Sequence, residues 1–74
     1  MSCELHGNPH RPYIKYVSIL GETVGEVAYA YDGRWEFHRH QPIWSNLPPR
    51  IAAEAEAFAN EKCTVLNVTR RLTA

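Results

Sequence analysis

The chain has 74 residues and a mass of 8.5 kDa, which is enough for one small domain and too little for two independent cores. Apolar residues make up 45% and charged residues 22%, so the composition is globular and excludes a disordered or low-complexity chain. Eight Lys and Arg balance eight Asp and Glu, so nothing in the overall charge attracts nucleic acid or an acidic membrane.

The N-terminal residues give no sign of a membrane segment or a signal peptide. No apolar run approaches the roughly 18 residues of a membrane span, and residues 1–12 lack a hydrophobic signal core. The sequence therefore predicts a cytoplasmic protein, in which Cys3 and Cys63 are free thiols. Residues 1–12 contain two prolines, a glycine and no periodicity, which predicts a flexible arm before a single domain over residues 13–74.

Three strands are expected in the middle of the sequence. The runs YIKYVSIL, TVGEVAYAY and RWEFHRH, at residues 13–20, 23–31 and 34–40, are rich in β-branched and aromatic residues. Gly21-Glu22 is suited to a type II′ turn and Asp32-Gly33 to a two-residue type I′ turn. Together these segments predict a three-stranded antiparallel meander.

A helix and a final strand are expected after the meander. Residues 50–62, RIAAEAEAFANEK, are good helix formers with an apolar stripe through Ile51, Ala55, Phe58 and Ala59. Residues 63–72, CTVLNVTRRL, return to strand composition. The predicted fold class is α+β in the order β-β-β-α-β, with the helix packed on one face of the sheet.

The turn lengths predict which residues share a face. A two-residue turn at Asp32-Gly33 places Ala30 opposite Trp35 and Ala28 opposite Phe37, on the face that the helix covers. The other face is then expected to carry Ile14, Tyr16, Leu20, Val27, Tyr29, Tyr31, Glu36, His38 and His40. Since one helix covers only one face, this aromatic surface stays exposed, and such patches mark interfaces.

The expected partner of the exposed face is another protein. The candidate partner-binding residues are Tyr16, Tyr29, Tyr31, Arg34, Glu36, His38 and His40. Three alternatives leave the face without a foreign partner: the tyrosines occupy strand positions for their β-propensity, the N-terminal arm folds over them, or a second copy of the chain covers them in a homodimer.

The sequence supplies no convincing catalytic or metal-binding motif. Cys3, His6, His38 and His40 can be drawn as a zinc-ligand set, but the arm lacks a paired-cysteine knuckle, so no metal and no cofactor are expected. The glycines are scattered and no nucleophile is paired with a base, so no catalytic residue and no enzymatic activity are expected.

Nucleic-acid binding is the alternative function. Tyrosines are interleaved in the sequence with Lys15, Arg34 and Arg39, and Arg70-Arg71 add local positive charge. Surfaces that combine aromatic rings with cations stack unpaired bases. The zero net charge and the acidic helix place this alternative behind protein binding.

The chain length, the sheet with a single helix and the lack of a catalytic or cofactor motif resemble the small phage-encoded inhibitors, which include the anti-CRISPR proteins. The resemblance concerns architecture and assigns no residue to a site. It implies a phage protein that blocks a host protein or nucleoprotein complex by occupying a surface.

Overall fold

The computed structural model describes residues 3–73, with side chains described as far as residue 69. The elements are β1 (Cys3–Asn8), β2 (Arg11–Ile19), β3 (Glu22–Tyr29), β4 (Trp35–Arg39), a 3₁₀ helix (Trp44–Asn46) and α1 (Pro49–Thr73). The strands form one antiparallel sheet in the order β1-β2-β3-β4. The predicted α+β class is confirmed, whereas the number of strands and the C-terminal element differ from the prediction.

The first difference is a strand within the predicted N-terminal arm. Residues 3–8 form β1, which pairs with β2 so that Leu5 lies opposite Val17 and Cys3 opposite Ile19. Both β1 side chains pack against the core. The alternation of apolar Cys3 and Leu5 with polar neighbours is a strand pattern, but it is short and is followed by a proline-containing turn. The sheet therefore includes residues 3–8, which were expected to form a flexible arm.

The second difference is that the chain has no C-terminal strand over residues 63–72, because α1 continues to Thr73. Cys63 and Leu66 pack against the core, and Cys63 follows Ala55 and Ala59 at intervals of four residues. Residues 50–73 contain neither glycine nor proline, so nothing in the chain ends the helix. The β-branched residues here lower helix propensity, but packing along one stripe outweighs that local preference.

The turn between β2 and β3 is centred one residue earlier than predicted. Leu20 and Gly21 have φ angles of 55° and 78°, and Ile19 pairs with Glu22. Two consecutive positive φ angles at the centre of a two-residue loop define a type I′ turn. The predicted type II′ turn at Gly21-Glu22 is therefore wrong.

A bulge follows the β2–β3 turn. Ser18 pairs with Thr23 and Val17 with Gly25, so Val24 is an extra residue on β3. A bulge of this kind shifts the alternation of the strand by one residue. The side chains of Val17 and Val24 are both completely buried.

The turn between β3 and β4 contains three residues where two were predicted. The Ala30 amide donates to the Arg34 carbonyl at 2.8 Å, and the Gly33 amide donates to the Ala30 carbonyl at 3.0 Å. Gly33 has a φ of 81°, which suits the left-handed position that ends a three-residue hairpin loop. In consequence Val27 lies opposite Phe37, and the faces of β3 are exchanged relative to the prediction.

The core lies between the sheet and α1. Its completely or almost completely buried side chains are Val17, Ile19, Val24 and Val27 from the sheet and Ala55 and Ala59 from the helix. Trp35, Phe37 and Phe58 each pack against this core but are only partly buried. The prediction that Val27 belongs to the exposed face is wrong, because the β3 register turns it inward. The two alanines allow the helix to approach the sheet closely.

The outer edge of β4 is covered by a side chain of α1. The Trp35 amide donates to Asn67 Oδ1 at 2.8 Å, and Asn67 Nδ2 donates to the Trp35 carbonyl at 3.3 Å. The Asn67 side-chain amide thus pairs with the strand as another peptide group would. We call this pair of hydrogen bonds the Asn67 clamp. It satisfies the amide and the carbonyl of one peptide position on an edge strand, which would otherwise be open to pairing with another chain.

Replacing Asn67 with alanine is expected to destabilise the protein by about 1–3 kcal/mol, because it leaves the partly buried Trp35 peptide group without either partner. Urea denaturation followed by circular dichroism measures the effect. Asn60→Ala is the control, since Asn60 is exposed on the same helix and should shift the free energy of unfolding by less than about 0.5 kcal/mol. Equal stability of the two variants would contradict a stabilising role for the clamp.

Candidate interaction surface

The sheet has a second face that α1 does not cover, and we call it the open face. Cross-strand pairs place Glu4 beside Ser18, Tyr16 between His6 and Glu26, and Ala28 between Ile14 and Glu36. His38 and His40 continue this face along β4 and just beyond it. The open face therefore consists of Glu4, His6, Ile14, Tyr16, Ser18, Glu26, Ala28, Glu36, His38 and His40.

The open face is acidic. It carries three glutamates and three histidines, and its residues include no Lys or Arg. Each histidine lies beside a glutamate, with Nε2–Oε distances of 3.0 Å for His6 and Glu4, 2.9 Å for His40 and Glu26, and 3.7 Å for His38 and Glu36. With histidine neutral, these ten residues carry three negative charges, and the nearest arginine of the same alternation is Arg34, exposed directly before β4.

One cluster on the open face contains the residue types of a catalytic triad but not the geometry. Nε2 of His6 lies 3.0 Å from Ser18 Oγ and also 3.0 Å from Glu4 Oε2. In a serine–histidine–acid triad the hydroxyl and the carboxylate contact different ring nitrogens. Here both compete for one nitrogen, and Ser18 is only 6% exposed, so this cluster cannot transfer a proton from hydroxyl to imidazole in the usual way.

The structure separates the residues of the possible zinc set. His6 lies on β1 and His38 on β4, at opposite edges of the sheet, roughly 14 Å apart from three inter-strand spacings. Cys3 is packed against the core on the helix side. Among the side chains described, no three His, Cys, Asp or Glu come together as metal ligands.

The tyrosines of the predicted site divide between several environments. Tyr16 lies on the open face and is partly buried between its cross-strand neighbours. Tyr29 was predicted on the same face, but it pairs with Trp35, and their ring centroids are 5.7 Å apart in an edge-to-face contact. Its predicted placement is wrong because of the three-residue turn. Tyr31 lies in that turn and is fully exposed.

A shallow cavity brings several of these residues together at the hairpin end of the sheet. It has a volume of about 640 Å³ and is lined by Tyr13, Tyr29, Ala30, Tyr31, Glu36 and His38. We call it the tyrosine cavity. Four of the predicted partner-binding residues line it, and two of them, Glu36 and His38, also belong to the open face. The cavity and the open face thus form one continuous surface.

Tyr13 lines the cavity although it is not among the predicted partner-binding residues. Its side chain is 65% exposed, and its ring centroid lies 5.9 Å from that of Tyr29. The sequence indicates Tyr13 only through the strand alternation of β2, which places it on the same face as Tyr29 once the pairing of β2 with β3 is known. The other three predicted residues lie outside the cavity. Tyr16 lies on the open face, Arg34 is exposed directly before β4, and His40 contacts Glu26.

Two of the three cations that the sequence interleaves with the tyrosines, Lys15 and Arg39, lie on the helix side of the sheet, whereas Arg34 is exposed directly before β4. Lys15 Nζ is 6.0 Å from the centroid of the Trp35 ring. Arg39 forms an ion pair with Glu56, and its guanidinium carbon lies 5.4 Å from the centroid of the Trp44 ring. These contacts keep both cations away from the open face. The side chains of Arg70 and Arg71 lie outside the described residues.

The two cysteines are free thiols in environments that oppose ionisation. Burial raises the pKa of Cys63, and the negative charge of Glu36 raises it further. Burial, followed by the charge of Glu54, raises the pKa of Cys3. Because the thiolate is the nucleophilic form, both thiols should be less reactive at neutral pH than an unperturbed cysteine.

The helix in the described part of the chain does not meet the length and hydropathy of a membrane span. We compared the chain with protein-family models, curated proteins and solved structures, and found no match in any of the three. The physical character of its surface is therefore the basis on which a function is argued.

Proposed function

We propose that this protein is a small non-enzymatic interaction module that binds a basic segment of another protein through the open face and the tyrosine cavity. The observation that carries the proposal is the junction of the two surfaces. An open face with three carboxylates and no Lys or Arg meets a group of exposed tyrosines at Glu36 and His38.

The tyrosines supply the apolar part of the proposed interface. Tyr13, Tyr29 and Tyr31 all have exposed side chains beside one cavity. Tyrosine contributes a large rigid surface with one polar end, and it is enriched among the residues that dominate binding energy. These side chains are thus suited to contact a partner without a large entropic penalty.

The carboxylates supply the electrostatic part. Complementary charge speeds the association of two proteins and selects the partner of opposite sign. A partner for the open face should therefore expose lysine or arginine residues, and added salt should weaken its binding. A phage-type inhibitor that covers a host protein or nucleoprotein complex is the version of this function that the architectural resemblance favours. The proteins of such a complex carry basic surfaces because they bind phosphates.

The negative charge of the open face also disfavours the two other possible occupants, a second copy of the chain and a nucleic acid. A symmetric homodimer through the open face would bring six glutamates together from two copies, and such like-charge contact opposes association. A nucleic acid would bring its phosphates to the same carboxylates. Two of the cations that would favour nucleic acid, Lys15 and Arg39, are engaged on the helix side, while Arg34 is exposed. Protein binding is therefore the better supported function.

The test is affinity capture from source cells with two matched variants. We expect the double variant Glu4→Gln and Glu26→Gln to lose a basic partner that the unmodified protein retains, because it removes two of the three open-face charges. The control is Glu54→Gln with Glu61→Gln, which changes the net charge equally at exposed positions of α1. This control should retain the partner, and capture should weaken as salt increases.

Two results would contradict the proposal. One is equal capture of the same partner by both double variants, which would place the interface elsewhere. The other is tight, salt-sensitive binding of single-stranded oligonucleotides that Tyr29→Ala abolishes, which would establish the nucleic-acid function. A mass measurement of the isolated protein accompanies the test, and a stable dimer disrupted by Tyr16→Ala would identify a second copy as the occupant.

A further inference from the structure

We infer that the tyrosine cavity binds the positively charged side chain of a partner's arginine or lysine, which would contact the tyrosine rings and pair with Glu36. This inference deepens the proposed function and rests on it, since the cation belongs to the basic segment proposed to bind the open face. It names the subsite within that surface and the chemistry that the subsite recognises.

The first observation is the arrangement of the aromatic rings. The rings of Tyr13 and Tyr29 are tilted by 51° with their centroids 5.9 Å apart, so they form a corner and not a parallel stack. Tyr31 lines the same cavity and is fully exposed. Cations are attracted to the face of an aromatic ring within about 6 Å of its centroid. The fully exposed ring of Tyr31 is therefore accessible to a side chain entering the cavity, and the exposed parts of Tyr13 and Tyr29 border the same space.

The second observation is an available carboxylate in the same lining. Glu36 is about half exposed, with 48% of its side-chain surface accessible. Among the described side chains no Lys or Arg pairs with it, and the Nε2 atom of His38 is 3.7 Å away, which is too far for a good hydrogen bond. Glu36 therefore retains oxygen lone pairs for an incoming guanidinium or ammonium group.

The third observation is where the protein places its own cations. Lys15, Arg39 and Lys62 each lie over an aromatic ring, those of Trp35, Trp44 and Phe58 respectively. None of these cations lines the tyrosine cavity. The cavity thus combines the two features that attract cations, aromatic faces and a carboxylate, while these three cations are engaged elsewhere.

The experiment is a titration of the full chain with two short neutral-capped peptides, followed by ¹H–¹⁵N NMR. One peptide has a single arginine between glycines, and the other has citrulline, an uncharged isostere, at the same position. A lysine peptide forms a third arm. We expect amide shifts centred on the cavity residues, with the arginine peptide binding about tenfold or more tightly than the citrulline peptide, and the lysine peptide between them.

Two variants separate the contributions. Glu36→Gln should remove most of the preference for arginine over citrulline, whereas Tyr31→Ala should weaken binding of both peptides. Tyr31 is fully exposed in a turn, so its replacement should leave the fold intact. Glu61→Gln, at an exposed position of α1, is the control for loss of one negative charge and should bind like the unmodified protein.

The inference is overturned if arginine and citrulline peptides bind equally, if the shifts lie away from the cavity, or if none binds at millimolar concentration. That failure is distinct from failure of the proposed function. If only the inference fails, partner capture still depends on Glu4 and Glu26, but the cavity shows no preference for cations. If only the proposed function fails, the cavity prefers arginine, but the open-face variants do not change partner capture.

Discussion

Replacing Val27 with asparagine is expected to lower the stability of the protein strongly, whereas the same replacement at Ala28 should change it little. Val27 is completely buried against α1, so the variant loses the burial of a valine and places an unpaired amide in the core. Together these effects cost roughly 3–5 kcal/mol. The whole chain should have a stability of roughly 4–11 kcal/mol at ordinary per-residue values.

Ala28 is the matched position because it is the next residue on the same strand. It lies on the open face opposite Glu36, where an asparagine amide reaches solvent. Urea denaturation of the two variants measures the difference. If Ala28→Asn were the damaging change, β3 would face the other way and the two-residue turn at Asp32-Gly33 would be correct.

Replacing Gly25 with valine is expected to cost about 3 kcal/mol or more, because the site has no room for a side chain. A Cβ atom at this position would lie 2.6 Å from Phe37 Cε1 and 2.8 Å from the backbone oxygen of His38. The ring can turn, but the backbone oxygen belongs to β4 and moves only if the strands separate. The variant should therefore show a lower melting temperature and weaker pairing of β3 with β4.

Gly7→Val is the control for the Gly25 variant. A Cβ atom at Gly7 would have Lys15 Nζ, at 3.7 Å, as its nearest neighbour, which is an ordinary contact with a flexible side chain. Valine also favours strand conformation, so we expect a change of less than about 0.5 kcal/mol. Similar losses of stability at both glycines would show that crowding beside Phe37 is not the cause.

The sheet shows that the assignment of strand residues to its two faces depends on single extra residues in bulges and turns. Strand composition predicted β2, β3 and β4. The residues of β2 and β4 that face α1 were also predicted correctly. The bulge at Val24 and the third residue of the Tyr31-Asp32-Gly33 loop each shift the alternation by one residue. Since both lie at the ends of β3, they exchange the faces of that strand alone and cancel at β4.

This cancellation explains which of the candidate residues were assigned to the correct face. Tyr16, Glu36, His38 and His40 lie on the open face as expected, because they belong to β2, to β4 or to the residue directly after β4. Tyr29 belongs to β3 and was assigned to the wrong face. The sequence Asp32-Gly33 is compatible with either loop length, since both need a glycine with positive φ, and only the packing of Val27 against the helix decides between them.

The two ends of the chain were predicted less well for a different reason. Cys3 and Leu5 are only two apolar residues, and β1 gains its stability from pairing with β2 and from the packing of these two side chains against the core. Residues 63–72 contain both a strand-like alternation and a helical stripe, and short segments of this kind are ambiguous by periodicity alone. The helix is favoured because Cys63 and Leu66 extend the stripe that already packs on the sheet.

The Asn67 clamp also has a consequence for local opening of the structure. An outward-facing amide on an edge strand normally exchanges its hydrogen with solvent readily, but that of Trp35 is held by the helix. Its release requires the C-terminal part of α1 to detach, so this part of the helix and β4 open as one cooperative unit. Trp35 contacts the ring of Tyr29, which lines the tyrosine cavity. Fraying or truncation of the C-terminus should thus affect the tyrosine cavity, the proposed binding surface, through this chain of contacts.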